Sequence, residues 1–139
     1  MNLFKQFKTS KNLEIDGIVL EYGSTEDGRV IEFRIARAGG GNKAYDKAVE
    51  TQTKSIRKQL QNDLVENDQL LRIMRNVYAE TVVLGWKNVE DEAGKPIPFT
   101  RENCITLFED LPDLFLDIQE QSRKMTLFRQ ANLDIAAGN

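Results

Sequence analysis

Acidic side chains are the reactive groups that this sequence offers in number. Nine carboxylates lie between residues 87 and 120, against three basic side chains. Among them, Glu109, Asp110 and Asp113 could gather a divalent cation, because carboxylates suit hard metals. The segment from Asp91 to Gly94 lacks the D-x-D-x-D-G pattern of a calcium loop. Acids at helix starts are better explained by the helix macrodipole, so a metal-dependent hydrolase built on the acids of 87–120 is the weaker alternative.

The other residue types that perform catalysis are missing or lack partners. The chain has no histidine, the commonest general base and metal ligand. Cys104 is the single cysteine, so it has neither a histidine partner as a nucleophile nor a second cysteine for an intrachain disulfide. The triple glycine Gly39-Gly40-Gly41 is followed by neither Gly-Lys-Ser/Thr nor a G-x-G-x-x-G pattern. We therefore expect no enzyme activity, no catalytic or cofactor-binding residues, no bound metal and no small-molecule substrate.

Length, charge and hydrophobic pattern exclude several further classes of function. The chain has 139 residues, with 19 basic and 22 acidic side chains and 40% hydrophobic residues, which suits a single globular domain over 1–139. A net charge of −3 argues against non-specific nucleic-acid binding. No apolar run approaches the roughly 18 residues that span a bilayer. The basic segment 1–12 is not followed by the apolar stretch of a signal peptide, so we expect a cytoplasmic protein that does not bind a membrane.

The N-terminal part predicts a β-hairpin over 13–37. Apolar and polar residues alternate over 13–22 and again over 29–37, and the Asp27-Gly28 pair between them favours a turn. Gly17 interrupts the first strand and indicates a bulge. The glycine-rich segment 38–42 then predicts a hinge, which ends at Asn42 as the N-cap of a helix.

The remaining chain predicts a helical body over 43–135 and a frayed tail over 136–139. The fold class is therefore α+β, mostly α, with an N-terminal β-hairpin followed by about four helices. Cys104 is expected to pack inside as a small apolar residue. The four helices are expected from Lys43 to Val65, from Asn67 or Asp68 to Gly85, from Thr100, and from Leu111-Pro112 onward.

Trp86 is the aromatic residue that could anchor either the core or a partner. It is expected to end the second helix, beside Gly85. An aromatic residue next to an apolar helix is usually buried, which favours a core position. The segment Ile97-Pro98-Phe99 could equally be a staple that closes the domain before Thr100.

A set of residues around this tryptophan resembles the tail assembly chaperones of long-tailed, siphovirus-like bacteriophages and prophages. The resemblance covers roughly residues 30 to 120. Its motif consists of Leu84-Gly85-Trp86-Lys87-Asn88-Val89, Gly94-Lys95-Pro96-Ile97-Pro98-Phe99-Thr100, Glu102-Asn103, Leu107 and Leu111-Pro112. The run from Phe33 to Gly40, followed by Asn42 to Tyr45, also looks like the strand-to-helix junction of that family.

The resemblance implies a small, mainly helical protein of the host cytoplasm that acts during tail morphogenesis. Such proteins are thought to coat the tape-measure protein, recruit tail-tube subunits to it, and leave before the virion is complete. The carried-over residues are expected to be structural or to contact a partner. They are Trp86, Gly94, Pro96, Ile97, Pro98, Phe99 and Thr100.

Three questions about assembly stay open at this stage. The protein could instead be a permanent part of the virion, such as a head–tail connector or a tail-completion protein. The acidic region 87–120 and the basic segment 1–12 could also attract each other between subunits, which favours head-to-tail self-association. A flexible Gly39-Gly40-Gly41 joint would in addition allow the hairpin to swap onto a neighbouring subunit.

Overall fold

The computed structural model describes residues 2–62 and 67–137. The predicted end of the first long helix at Val65, and Gly138 and Asn139 of the predicted tail, lie outside these residues. The described elements are α1 (Leu3–Phe7), α2 (Lys11–Asp16), β1 (Ile18–Ser24), β2 (Val30–Ile35), α3 (Lys43–Thr53), a 3₁₀ turn (Lys54–Ile56), α4 (Arg57–Gln61), α5 (Asn67–Thr81), β3 (Val83–Lys87), α6 (Arg101–Asp110), α7 (Pro112–Ser122), a second 3₁₀ turn (Met125–Phe128) and α8 (Gln130–Ala136).

Two short helices precede the sheet, and the second of them covers residues 13–16, where the sequence predicted the start of a strand. The Ser10 side chain accepts a hydrogen bond of 3.2 Å from the Leu13 N–H and so caps α2. Once this cap starts the helix, local hydrogen bonds hold residues 13–16 and outweigh the short apolar alternation there. Gly17 follows α2 and donates to the Leu13 carbonyl, so the predicted bulge is wrong and β1 begins at Ile18.

The predicted hairpin is confirmed, and a third strand joins it. β1 and β2 pair antiparallel, with Leu20 opposite Phe33. β3 then pairs antiparallel with β2, which gives the strand order β1-β2-β3. The sequence placed this region at the end of a helix, which is wrong. Val82 and Val83 are β-branched, and the edge of β2 needs a pairing partner, so the chain leaves α5 at Thr81 and continues as a strand.

The helical body is divided more finely than the predicted four helices. The helix expected from Lys43 begins as predicted, with the Asn42 side chain accepting from the Tyr45 N–H, but α3 ends at Thr53. The Thr53 hydroxyl donates to the Val49 carbonyl, an interaction that bends helices, and the 3₁₀ turn follows. The helix expected from Pro112 likewise ends at Ser122, before a 3₁₀ turn that buries Phe128.

The core lies where the inner face of the sheet meets α5, α6 and α7. Phe33 and Ile35 of β2 enter it from the sheet, and Tyr78 enters it from α5. The Tyr78 ring meets the Phe115 ring edge-on at 5.4 Å, and Phe115 in turn packs against Phe108 at 4.7 Å. Such aromatic pairs add about 0.5–1.5 kcal/mol each beyond their area burial.

The glycine-rich segment 38–42 is packed against α2. The Arg37 guanidinium donates to the Glu14 carboxylate at 2.6 Å, and the Glu14 side chain is only 4% exposed. A Cβ atom on Gly40 would overlap Glu14 Oε2 and lie 2.8 Å from Arg37 Nη1. The buried Asn42 amide donates to the carbonyls of Arg37 and Thr81 at 2.9 and 3.0 Å. These contacts tie the segment that the sequence predicted as a hinge to α2 and to the end of α5.

Candidate interaction site

Trp86 lies on β3, opposite Phe33 of β2, and not at a helix end as predicted. Its side chain is half-buried, and the indole N–H donates a 2.8 Å hydrogen bond to the Ile97 carbonyl. Its ring packs against Phe33 at 5.5 Å on one side and meets Phe99 edge-on at 5.0 Å on the other. Trp86 therefore joins the sheet to the segment that precedes α6.

The loop from Asn88 to Thr100 folds back on itself. Asn88 has a φ of 61° and turns the chain out of β3. The Ile97 N–H donates to the Val89 carbonyl at 2.9 Å, and Glu90 and Pro96 form an isolated bridge. The two halves of the loop are thus paired with each other.

A tight turn closes the tip of this loop. The Asp91 carboxylate accepts hydrogen bonds of 2.9 Å from the N–H groups of Ala93 and Lys95. Gly94 has a φ of 81°, a left-handed conformation that glycine adopts without steric cost. Gly94 therefore shapes the turn. This residue of the predicted motif lies at the loop tip, away from the contacts that Trp86 makes.

Thr100 fixes the other end of the loop. As the sequence predicted, its hydroxyl caps α6 by accepting from the Asn103 N–H at 3.0 Å. The Asn103 amide in turn donates to the Pro98 carbonyl at 2.9 Å. Pro98 and Phe99 are both exposed and are held between this cap and the indole. We call the surface formed by Trp86, Pro98 and Phe99 the Trp86 ledge.

Beside the loop lies an acidic groove of about 700 Å³. Its apolar lining comes from Ala93, Ile97, Leu107 and Leu111. Its charged lining consists of Glu90, Asp91, Glu92 and Asp110. The sequence showed the excess of acids here, but the groove itself depends on the loop packing next to the end of α6.

The acids of the groove do not form a metal site. Glu90 is already paired with Arg29 at 3.5 Å. Asp110 lines the groove, but its predicted companions Glu109 and Asp113 do not. Over residues 2–62 and 67–137, no group of three or more acidic or cysteine side chains is placed to hold a metal ion.

Sequence reasoning missed an exposed apolar surface on α1. Their spacing at i, i+1 and i+4 places Leu3, Phe4 and Phe7 on one face of a helix, and such an apolar face is usually buried. Here the three side chains are 70%, 79% and 61% exposed. That spacing was the signal available in the sequence, but the lysines Lys5, Lys8 and Lys11 led us to interpret the segment only as basic. We call Leu3, Phe4 and Phe7 the α1 apolar face.

Cys104 is fully buried, as the sequence predicted. Burial raises the pKa of its thiol to about 12, so the thiol stays protonated at neutral pH. Its place among the core residues makes it a packing residue, with no access for a reaction partner.

Within the part of the chain that the structure describes, no helix is both long and apolar enough to cross a lipid bilayer.

Comparison with known proteins places most of this structure in a phage family. Neither the curated proteins nor the solved structures gave a match. A family model described as "YdaY prophage protein" matches residues 40–139, which include the Trp86 ledge and the acidic groove but exclude α1 and the hairpin. This confirms the phage origin that the resemblance implied. The chain belongs to the YdaY prophage protein family.

Proposed function

We propose that this prophage protein is a tail assembly chaperone. In this role it binds the tape-measure protein, recruits tail-tube subunits in the host cytoplasm, and leaves before the virion is complete. The Trp86 ledge carries the proposal, because it combines exposed aromatic and proline surface with a backbone that is hydrogen-bonded to the first turn of α6. The resemblance to tail assembly chaperones also lies in these residues, Trp86, Pro98 and Phe99.

The geometry of the ledge suits protein binding. Phe99 leaves 36% of its surface exposed, and its ring is fixed edge-on against Trp86. The Pro98 carbonyl and the Thr100 hydroxyl are both hydrogen-bonded to Asn103. Aromatic residues dominate binding energy at interfaces, and a preorganised surface loses little conformational entropy when a partner docks.

A transient function also fits the size of this surface. Three side chains offer a modest contact area, and small interfaces are typical of complexes that must dissociate. We therefore expect the ledge to bind one segment of a tail protein reversibly. We propose no catalytic step for it.

Affinity purification from cells that assemble the phage tests this proposal. A tagged chain would be expressed during prophage induction, and its co-purifying proteins identified by mass spectrometry. We expect tape-measure or tail-tube protein with the unaltered chain, and at least about a tenfold loss with the Phe99→Ala variant, the usual scale of a binding hot spot. Leu71→Ala is the matched control, because Leu71 on α5 is 42% exposed and lies outside the ledge.

Two results would contradict the proposal. Equal recovery of tail proteins with the Phe99→Ala and unaltered chains would exclude the ledge as the binding surface. Recovery of the chain in finished particles at a stoichiometry of structural subunits would identify a permanent virion component. A thermal unfolding scan of both variants shows whether each retains its fold.

A further inference from the structure

Two surfaces of this chain are complementary in charge and in apolar character. The α1 apolar face is flanked by Lys5, Lys8 and Lys11, all of them exposed. The acidic groove offers the opposite arrangement, with apolar side chains lined by carboxylates. Complementary charges steer association, and apolar contact supplies much of its free energy.

The groove retains negative charge that α1 could neutralise. Of its four carboxylates, Glu90 contacts Arg29, and Asp91 accepts hydrogen bonds from its own turn. Glu92 and Asp110 are both exposed at the groove. Leu111 beside them is 49% exposed, so the apolar lining is also accessible.

A chain cannot fill its own groove with its own α1 while this fold is intact. The Lys5 carbonyl accepts a 2.8 Å hydrogen bond from the Arg129 guanidinium, and the Lys8 carbonyl accepts one of 2.9 Å from the Gln130 N–H. The Ser10 N–H donates to the Phe128 carbonyl at 2.8 Å. These bonds fix α1 beside α8, whereas the groove lies between the 88–100 loop and α6.

We propose that α1 of one copy docks in the acidic groove of a second copy. The α1 apolar face would cover Ile97, Leu107 and Leu111, while Lys5 and Lys8 approach Glu92 and Asp110. The contact uses different surfaces on its two sides, so it is heterologous and builds rings or filaments. This inference concerns the purified chain alone and does not depend on the proposed chaperone function.

Charge reversal on each surface tests the docking. Sedimentation velocity of the full chain over a range of concentrations measures association. We expect the Lys5→Glu/Lys8→Glu variant and the Glu92→Lys/Asp110→Lys variant each to weaken association at least tenfold, on the order of the coupling between close charge pairs. Lys43→Glu/Lys47→Glu is the matched control, because it makes the same charge change on exposed positions of α3.

Mixing the two variants gives the sharpest result. The first variant keeps an intact groove but carries reversed charges on α1, and the second keeps an intact α1 but carries reversed charges in the groove. A head-to-tail contact therefore predicts that each variant alone stays monomeric, while an equimolar mixture recovers association in which the two variants alternate, because the intact α1 meets the intact groove and the reversed α1 meets the reversed groove. A single chain that carries all four substitutions should recover association, because opposite charges again face each other.

Several outcomes would overturn the inference. One is an unaltered chain that stays monomeric at every concentration. Another is association that the control variant weakens as much as the two test variants do. A third is a monomeric chain that binds anionic phospholipid vesicles through Phe4, as shown by loss of binding in Phe4→Ala, because this would assign α1 to a lipid surface.

Discussion

Replacing Gly40 by alanine tests whether the segment 38–42 is locked against α2 or moves as a hinge. The structure places a new Cβ atom on top of the Glu14 carboxylate and beside the Arg37 guanidinium. The substitution must therefore displace the buried ion pair that holds this segment in place. If the segment were a free hinge, Gly40→Ala would cost only the energy of placing alanine in a backbone conformation that glycine prefers.

The loss in free energy of unfolding that we expect for Gly40→Ala has two parts. Gly40 has a φ of 55°, and a left-handed conformation costs a residue with a Cβ about 1 kcal/mol. Breaking a buried ion pair by removing one partner costs about 3–5 kcal/mol, and this range is an upper limit here because Gly40→Ala leaves both side chains in place and able to move. The Arg37 side chain is 21% exposed and can regain water, so we take the lower end of that range. The free energy of unfolding should therefore fall by more than about 1 kcal/mol and by up to about 4 kcal/mol in total.

Urea denaturation followed by Trp86 fluorescence measures this change. Gly94→Ala is the control, because Gly94 has a φ of 81° but its added Cβ would meet no heavy atom within 4 Å among the described residues other than its chain neighbours, so only about 1 kcal/mol should be lost. The double variant Glu14→Ala/Gly40→Ala no longer has the overlap with the Glu14 carboxylate. Its loss in free energy of unfolding should therefore be smaller than the sum of the losses in the two single variants. If Gly40→Ala costs no more than Gly94→Ala, the segment yields like a hinge and our reasoning is refuted.

Four further predictions concern single side chains. Trp86→Phe removes the hydrogen bond to the Ile97 carbonyl and should lower the free energy of unfolding by about 1 kcal/mol in urea. Thr100→Ala removes the cap of α6 and should cost about 1 kcal/mol, whereas Thr100→Ser should cost less because it keeps the hydroxyl. Cys104 should not react with Ellman's reagent in the folded protein, and should react fully in denaturant; rapid reaction of the native protein would contradict its burial. Burial raises the pKa of Tyr78 from 10.0 to about 12, so between these pH values the unfolded chain loses its proton while the folded one keeps it. Stability should therefore fall as pH rises through this range, and less steeply in Tyr78→Phe; an unchanged slope in that variant would exclude Tyr78 as the cause.

Features that depend on neighbouring residues were predictable from the sequence. Asn42 and Thr100 cap their helices, and Pro112 lies in the first turn of α7. The turn at Asp27-Gly28 joins β1 to β2, as its dipeptide indicates. Each of these depends on hydrogen bonds or backbone angles within a few residues, so the local pattern specifies them.

Features that depend on distant residues were not predictable in the same way. The run Val82-Val83-Leu84 is apolar throughout, and such a run suits either a buried helix end or a strand. Pairing with β2, some fifty residues earlier in the chain, decides in favour of the strand. That decision also moves Trp86 from a helix end to the sheet.

The candidate site shows the same division. The residues of the Trp86 ledge were identified in the sequence, but their contacts, such as the hydrogen bond from the indole to Ile97, follow from β3 and the folded loop. The acidic groove and the α1 apolar face were seen only as excesses of charge. Their apolar parts come from α6, the loop and α1, which tertiary packing alone places.

Counting this chain in assembling tails and in finished particles tests the chaperone proposal most directly. Quantitative mass spectrometry would compare complexes captured on tagged tape-measure protein during prophage induction with purified virions from the same culture. The proposal predicts many copies on the captured tape-measure protein and none above background in virions. Structural copy numbers in virions, or no enrichment on the tape-measure protein, would contradict it.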